Sequence, residues 1–148
     1  MSSHICLRVH LVWSTARREA LIDPAWEHRL FAYLGTIVAD RGGTMLAANG
    51  MADHLHMYVS LPATVSLAEI VGSLKANSSR WIHETFGVPA FSWQKGYGAF
   101  SVSPSADGTV RAYIENQKVH HQRRSFQEEY VEFLKRHEVE YDLRYVFE

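Results

Sequence analysis

Between His4 and Trp13 the chain alternates strictly, with Ile5, Leu7, Val9, Leu11 and Trp13 on one side and His4, Cys6, Arg8, His10 and Val12 on the other. Successive side chains of an extended strand point to opposite faces, so this run predicts a first strand with one buried face. After it, the hydrophobic period switches back and forth between the values of helix and strand, and these switches divide the chain into elements.

Asp23-Pro24 supplies an N-cap and a proline at the first helical position. Trp26, Leu30, Tyr33, Leu34, Ile37 and Val38 then recur at helical spacing until Gly42-Gly43, predicting the first helix. A second strand runs from Thr44 to Asn49, Gly50 marks a tight turn, and a third strand runs from about Asp53 to Leu61 before Pro62, giving a hairpin. Ser66 and Glu69 form a capping box, Val65 and Ile70 suit a hydrophobic staple, and Leu67, Ile70, Val71, Leu74, Trp81 and Ile82 line a helix ending near Gly87. A strand through Tyr97 to Ser103 follows. The order strand, helix, strand, strand, helix, strand is that of an α+β, ferredoxin-like βαββαβ domain with an antiparallel sheet. Two extra C-terminal helices are predicted, one from about Val110 to His121 with Asp107 or Thr109 near its cap, the other from Ser125 with Glu128 as capping partner.

A length of 148 residues, 47% of them hydrophobic and 21% charged, suits a single domain over 1–148 with a full core. No run approaches the roughly 18 apolar residues of a membrane helix, and Met1-Ser2-Ser3-His4 lacks the regions of a signal peptide, so the expectation is a cytoplasmic protein without membrane contact. The lone Cys6 is expected to be a packed thiol without chemistry. A net charge of −1 argues mildly against a nucleic-acid partner. That total hides a basic stretch of Lys118, Arg123 and Arg124 with His120 and His121, ahead of an acidic tail containing Glu128, Glu129, Glu132, Glu138 and Glu140. An ordinary solvated face is the commoner meaning of such a stretch.

Asp53-His54-Leu55-His56-Met57-Tyr58 carries the strongest local signal. Strand geometry puts His54, His56 and Tyr58 on one face, with the two imidazoles about 6–7 Å apart at Cα, close enough to converge on one metal ion. His-x-His pairs also occur without function, and the pair alone leaves both meanings open. Tyr113 and Gln117 stand four residues apart on a predicted helix and share a face. Alone they are most simply a half-buried ring and a surface amide. Taken together, two imidazoles and an amide oxygen could hold a divalent ion as a Lewis acid, with a tyrosine one turn away as a covalent nucleophile on a phosphodiester.

These motifs, with Val12-Trp13-Ser14-Thr15, Leu74-Lys75, Ser78-Ser79-Arg80, Trp93-Gln94-Lys95-Gly96-Tyr97, Tyr113-Ile114-Glu115-Asn116-Gln117 and His120-His121, occur in an order that resembles the single-tyrosine HUH transposases of small bacterial insertion sequences, the IS200-like superfamily. The resemblance spans nearly the whole chain. It implies that His54, His56 and Gln117 bind Mg2+ or Mn2+, and that Tyr113 is the nucleophile joined to a 5′ phosphate. It further implies a homodimer, with the tyrosine helix able to act in the partner subunit, and a substrate of single-stranded DNA with hairpin ends that is cut and rejoined. A nickase processing repeats, or a catalytically silent hairpin-binding regulator, are the alternatives. Lys75, Arg80, Arg17, Arg18, Lys118, Arg123 and Arg124 could follow a DNA backbone, and Trp93 and Tyr97 could stack on an unpaired base or pack in the core.

Overall fold

The computed structural model describes residues 1–147. Its strands are β1 (Arg8–Ser14), β2 (Thr44–Met51), β3 (His54–Ser60) and β4 (Gly98–Ser101), and its helices are α1 (Glu27–Asp40), α2 (Leu67–Phe86), α3 (Asp107–Glu115), α4 (Gln117–His120) and α5 (Phe126–Arg136). The strands form one antiparallel sheet in the order β2-β3-β1-β4. With α1 between β1 and β2 and α2 between β3 and β4, this is the expected ferredoxin-like arrangement.

Leu11 and Trp13 of β1 and Leu55, Met57 and Val59 of β3 pack with Leu30, Leu34, Ile70 and Leu74 of α1 and α2 into the larger core. The opposite face is covered as well. Val12 and Phe100 meet Phe126, Phe133 and Leu134 of α5 in a second apolar cluster, with Tyr113 and Tyr130 against it. Strand β1 is therefore buried on both faces rather than on one, because the C-terminal helices roof the side where the alternation alone leaves solvent.

Several boundaries move. Strand β1 begins at Arg8, so Ile5 and Leu7 are exposed, and Cys6 is an exposed free thiol rather than a packed one. Helix α1 begins at Glu27; Pro24 lies in the turn before it, where Asp23 Oδ1 accepts the Ala25 amide at 2.8 Å. Gly50 is not the turn residue. It lies within β2 opposite Leu55, and the turn is Ala52-Asp53. A Cβ at Gly50 would stand 2.2 Å from the His54 carbonyl oxygen, so this glycine allows the close approach of two backbones.

Helix α2 has its expected ends: Ser66 Oγ accepts the Glu69 amide at 3.1 Å, and Gly87 closes it with a φ of 64°. The predicted helix from Val110 to His121 starts earlier, at Asp107, and is broken at Asn116 into α3 and α4. Asp107 ties the start of α3 to the sheet, accepting from Tyr58 Oη at 2.8 Å and from Arg8 at 3.0 Å. Helix α5 begins as expected, with Ser125 Oγ accepting the Glu128 amide at 3.2 Å.

Candidate active site

Period-two geometry delivers His54 and His56 to the roofed face of the sheet, where both are fully buried. Their rings stand 5.3 Å apart between centroids. Each Nδ1 is engaged: that of His54 donates to Asp53 Oδ1 at 2.7 Å, and that of His56 pairs with His10 Nε2 at 2.8 Å. Both Nε2 atoms consequently point toward the C-terminal helices. Burial, reinforced by the neighbouring His56, holds His10 well below the usual imidazole range, so His10 is neutral and able to serve as either donor or acceptor.

Gln117, at the start of α4, is buried with its Oε1 3.3 Å from His54 Nε2. The Tyr113 ring lies 5.9 Å from that of His56 between centroids. All four residues singled out in the sequence thus meet at one point within a single chain, although Tyr113 and Gln117 lie on separate helices. Asn116 is the break, and the two side chains stay on the same side because it bends the backbone without ending the helical path: its amide reaches Ala112 O and its carbonyl accepts from His120.

Two further residues complete the cluster. Glu129 of α5 is 2% exposed, and its Oε1 lies 2.8 Å from His56 Nε2 and 3.6 Å from His54 Nε2. His121 pairs through Nε2 with Glu129 Oε2 at 3.3 Å and with Gln117 Oε1 at 3.0 Å, while its Nδ1 donates to the Arg124 carbonyl at 2.8 Å. Gln117 Nε2 donates to Glu129 Oε2 at 3.1 Å, and the Tyr113 hydroxyl donates to the same oxygen. Ligand atoms of His54, His56, His121 and Glu129 all lie within 4.8 Å of one another.

The sequence reading left Glu129 in an acidic tail and His121 in a basic stretch. A signal was there to find. Phe126, Glu129 and Phe133 fall at helical spacing on the apolar stripe of α5, where a carboxylate is out of place unless it has partners.

Electrostatics follow from the enclosure. Burial raises the Glu129 carboxyl, but hydrogen bonds from His121 and His56 outweigh it and hold the group far below the usual carboxylate range. Burial pushes Tyr113 well above its ordinary value, and the Glu129 charge adds to that, so the phenol is kept protonated. His56 is lowered by burial, against the pull of Glu129. A cleft lined by Tyr113, Arg124, Glu129, Glu132, Phe133 and Arg136 adjoins the cluster.

Some proposed DNA contacts are engaged elsewhere. Lys75 donates to the carbonyls of Gln94, Lys95 and Gly96 and clamps that loop, with burial drawing its pKa to about 8. Lys118 reaches the Gly50 carbonyl and Glu27, and Arg124 pairs with Glu132. Trp93 packs edge-on to Trp13 and Phe91 and donates to Ser78 Oγ at 2.9 Å, so it is a half-buried ring packed against the core. Arg17 and Arg18 are both in the left-handed region, with φ of 53° and 56°. Among the described residues no helix is long and apolar enough to cross a membrane.

Comparison with known proteins places the fold and the family. Residues 3–117 match the sequence profile of the family described as Transposase IS200 like. The transposase of insertion sequence IS200 from Salmonella typhimurium is 32% identical over 79 residues, covering 49% of this chain and 51% of that protein, so the match spans about half the length of this relative. The ISDra2 transposase TnpA of Deinococcus radiodurans is 24% identical over 119 residues, 75% of this chain and 84% of that protein. Among solved structures, a candidate transposase from Deinococcus radiodurans superposes with a TM-score of 0.64 at 24% identity over 79% of this chain and 95% of its own. A REP-associated tyrosine transposase bound to a REP hairpin superposes at 0.61 and 16% identity over 82% and 74%. These likenesses support the fold, while the family profile alone spans most of the chain, from the start of the first strand region through Gln117: the chain is a member of the IS200-like transposase family.

Proposed function

We propose that this protein cuts and rejoins single-stranded DNA at hairpin-marked ends through a 5′-phosphotyrosine on Tyr113. The observation that carries the reading is the convergence, within one chain, of Tyr113 from α3 with His54 and His56 from β3 and Gln117 from α4 on a single buried cluster. A tyrosine serves this chemistry because its phosphodiester conserves the energy of the broken bond, so that the freed hydroxyl of another end can reverse the step without a nucleotide cofactor.

Donor chemistry fits a divalent ion, Mg2+ or Mn2+. Imidazoles whose Nδ1 atoms are engaged present Nε2 to the site, and the Gln117 amide offers an uncharged oxygen beside them. When bound, such an ion supplies Lewis-acid polarisation of a phosphate oxygen. The chain's own contribution is positional. Asp53 and His10 orient the two histidines, and Asp107 anchors the helix that carries Tyr113. The Tyr113 proton has a carboxylate oxygen of Glu129 as its immediate acceptor.

The hairpin substrate is supported by the REP-associated tyrosine transposase neighbour, which is bound to a REP hairpin; a nickase that processes repeats is the alternative. The two share the cleavage step and differ in whether the held end is passed to a second strand.

Labelled single-stranded DNA from the ends flanking the gene, incubated with protein and Mn2+ and run on a denaturing gel, tests the reading. A metal-dependent adduct is expected from the wild type and none from Tyr113→Phe, with hairpin binding near normal in both. An adduct that persists in Tyr113→Phe removes the tyrosine from its role. Absence of any adduct with binding intact indicates a silent hairpin binder.

A further inference from the structure

Glu129 is the carboxylate at the centre of the buried cluster. It is 2% exposed, and its ion-pair partners among the described residues are His54, His56 and His121, with no lysine or arginine. The Tyr113 hydroxyl and the Gln117 amide also donate to it, and ligand atoms of Glu129 and the three histidines lie within 4.8 Å of one another, the grouping of mixed nitrogen and oxygen donors that a divalent cation takes. The histidines are arranged to accommodate one. Nδ1 of His54 donates to Asp53, Nδ1 of His121 donates to the Arg124 carbonyl, and Nδ1 of His56 faces Nε2 of His10. With Nδ1 engaged, each ring turns its Nε2 toward Glu129, and His10 Nε2 is placed to accept the His56 Nδ1–H.

We infer that Glu129 and His121 are ligands of the ion held by His54 and His56, so that the metal centre extends beyond the two histidines and the glutamine to a donor set of three imidazoles and one carboxylate with Gln117 at its rim. The inference rests on the proposed metal-dependent function. Distances already approach what ligation requires: with bonds of about 2.1 Å and tetrahedral angles, donors lie about 3.4 Å apart. Here His54 Nε2 and His121 Nε2 stand 3.6 and 3.3 Å from oxygens of Glu129, and His56 Nε2 stands 2.8 Å away, which calls for a small separation only. The two added ligands come from different elements, His121 from the end of α4 and Glu129 from α5. An imidazole-rich set favours a transition ion such as Mn2+ or Zn2+ over Mg2+.

Calorimetric titration of the full chain with MnCl2, ZnCl2 and MgCl2 tests this, with thermal unfolding confirming that each variant is folded. Glu129→Gln keeps the shape of the side chain and removes its charge, and His121→Gln removes one imidazole. Each is expected to weaken Mn2+ binding by at least roughly tenfold, by analogy with the loss of residues that merely support ligands, while His56→Ala abolishes it. Wild-type protein supplies a second measurement. On addition of ZnCl2, long-range proton–nitrogen NMR is expected to move the Nε2 resonances of His54, His56 and His121 together, leaving the Nδ1 atoms protonated. Unchanged or tighter binding in Glu129→Gln, with His56→Ala still defective, would mean that the carboxylate merely fills the ion's place, overturning the inference and sparing the wider reading. Failure of the wild type to bind any of the three ions would remove both.

Discussion

At the scale of single residues, the site depends as much on what is absent as on what is present. Gly50 has no side chain where the first turn of the hairpin brings β2 against His54, and a methyl group would meet the His54 carbonyl and the Leu55 Cα, which are backbone atoms with little freedom to yield. Gly50→Ala is expected to cost about 1–3 kcal/mol, as overpacking usually does. In a domain of this size that lowers the midpoint of thermal unfolding by roughly 2–4 °C per kcal/mol. Metal affinity should fall with it, because β3 carries both histidines; calorimetric unfolding and Mn2+ titration of the variant check both. His54 and His56 were legible in the sequence because strand periodicity fixes which face they share. Glu129 was legible only as a carboxylate out of place on the apolar stripe of α5, since the partners it meets depend on how a distant helix folds back across the sheet, a docking on which local pattern carries no information.

The caps of α2 and α5 were read correctly from their end residues, whereas the Asp23-Pro24 signal marked a turn ahead of α1 rather than its first residues. The caps Ser66 and Ser125 and the terminating Gly87 stand where their chemistry predicts, because each satisfies backbone groups of its own helix. Boundaries set by tertiary cover moved: β1 lost Ile5 to Leu7, where no partner strand covers them, and the helix bearing Tyr113 broke at Asn116. Helix α5 roofs the cluster and carries Glu129, so its stability is coupled to that of the site. Ser125→Ala removes the acceptor of the Glu128 amide and is expected to cost about 1 kcal/mol. Hydrogen exchange should report the loss first in the amides of α5, with those of β1 and β3 unaffected.

Across the whole molecule, the fold class followed from the order of periods, while the way the two faces share the work required the structure. Tyr113 lies beside the His56 of its own chain. The resemblance also implies a homodimer in which the tyrosine helix could serve the partner, and the two arrangements separate cleanly in a mixing experiment. Tyr113→Phe and His56→Ala proteins, each inactive alone, are expected to remain inactive when combined, as read by adduct formation. Restored activity would reveal an exchanged helix.

The sheet divides the molecule into a layer of aliphatic residues against α1 and α2 and a layer of histidines beneath the C-terminal helices. Buried ionic groups contribute little net stability, and apolar replacements of similar volume often increase it. Mutational decay can therefore erase the chemistry while leaving a well-folded protein. Selection on folding alone would not protect the histidines, and descendants of such a chain would tend to persist as intact scaffolds free to acquire other work.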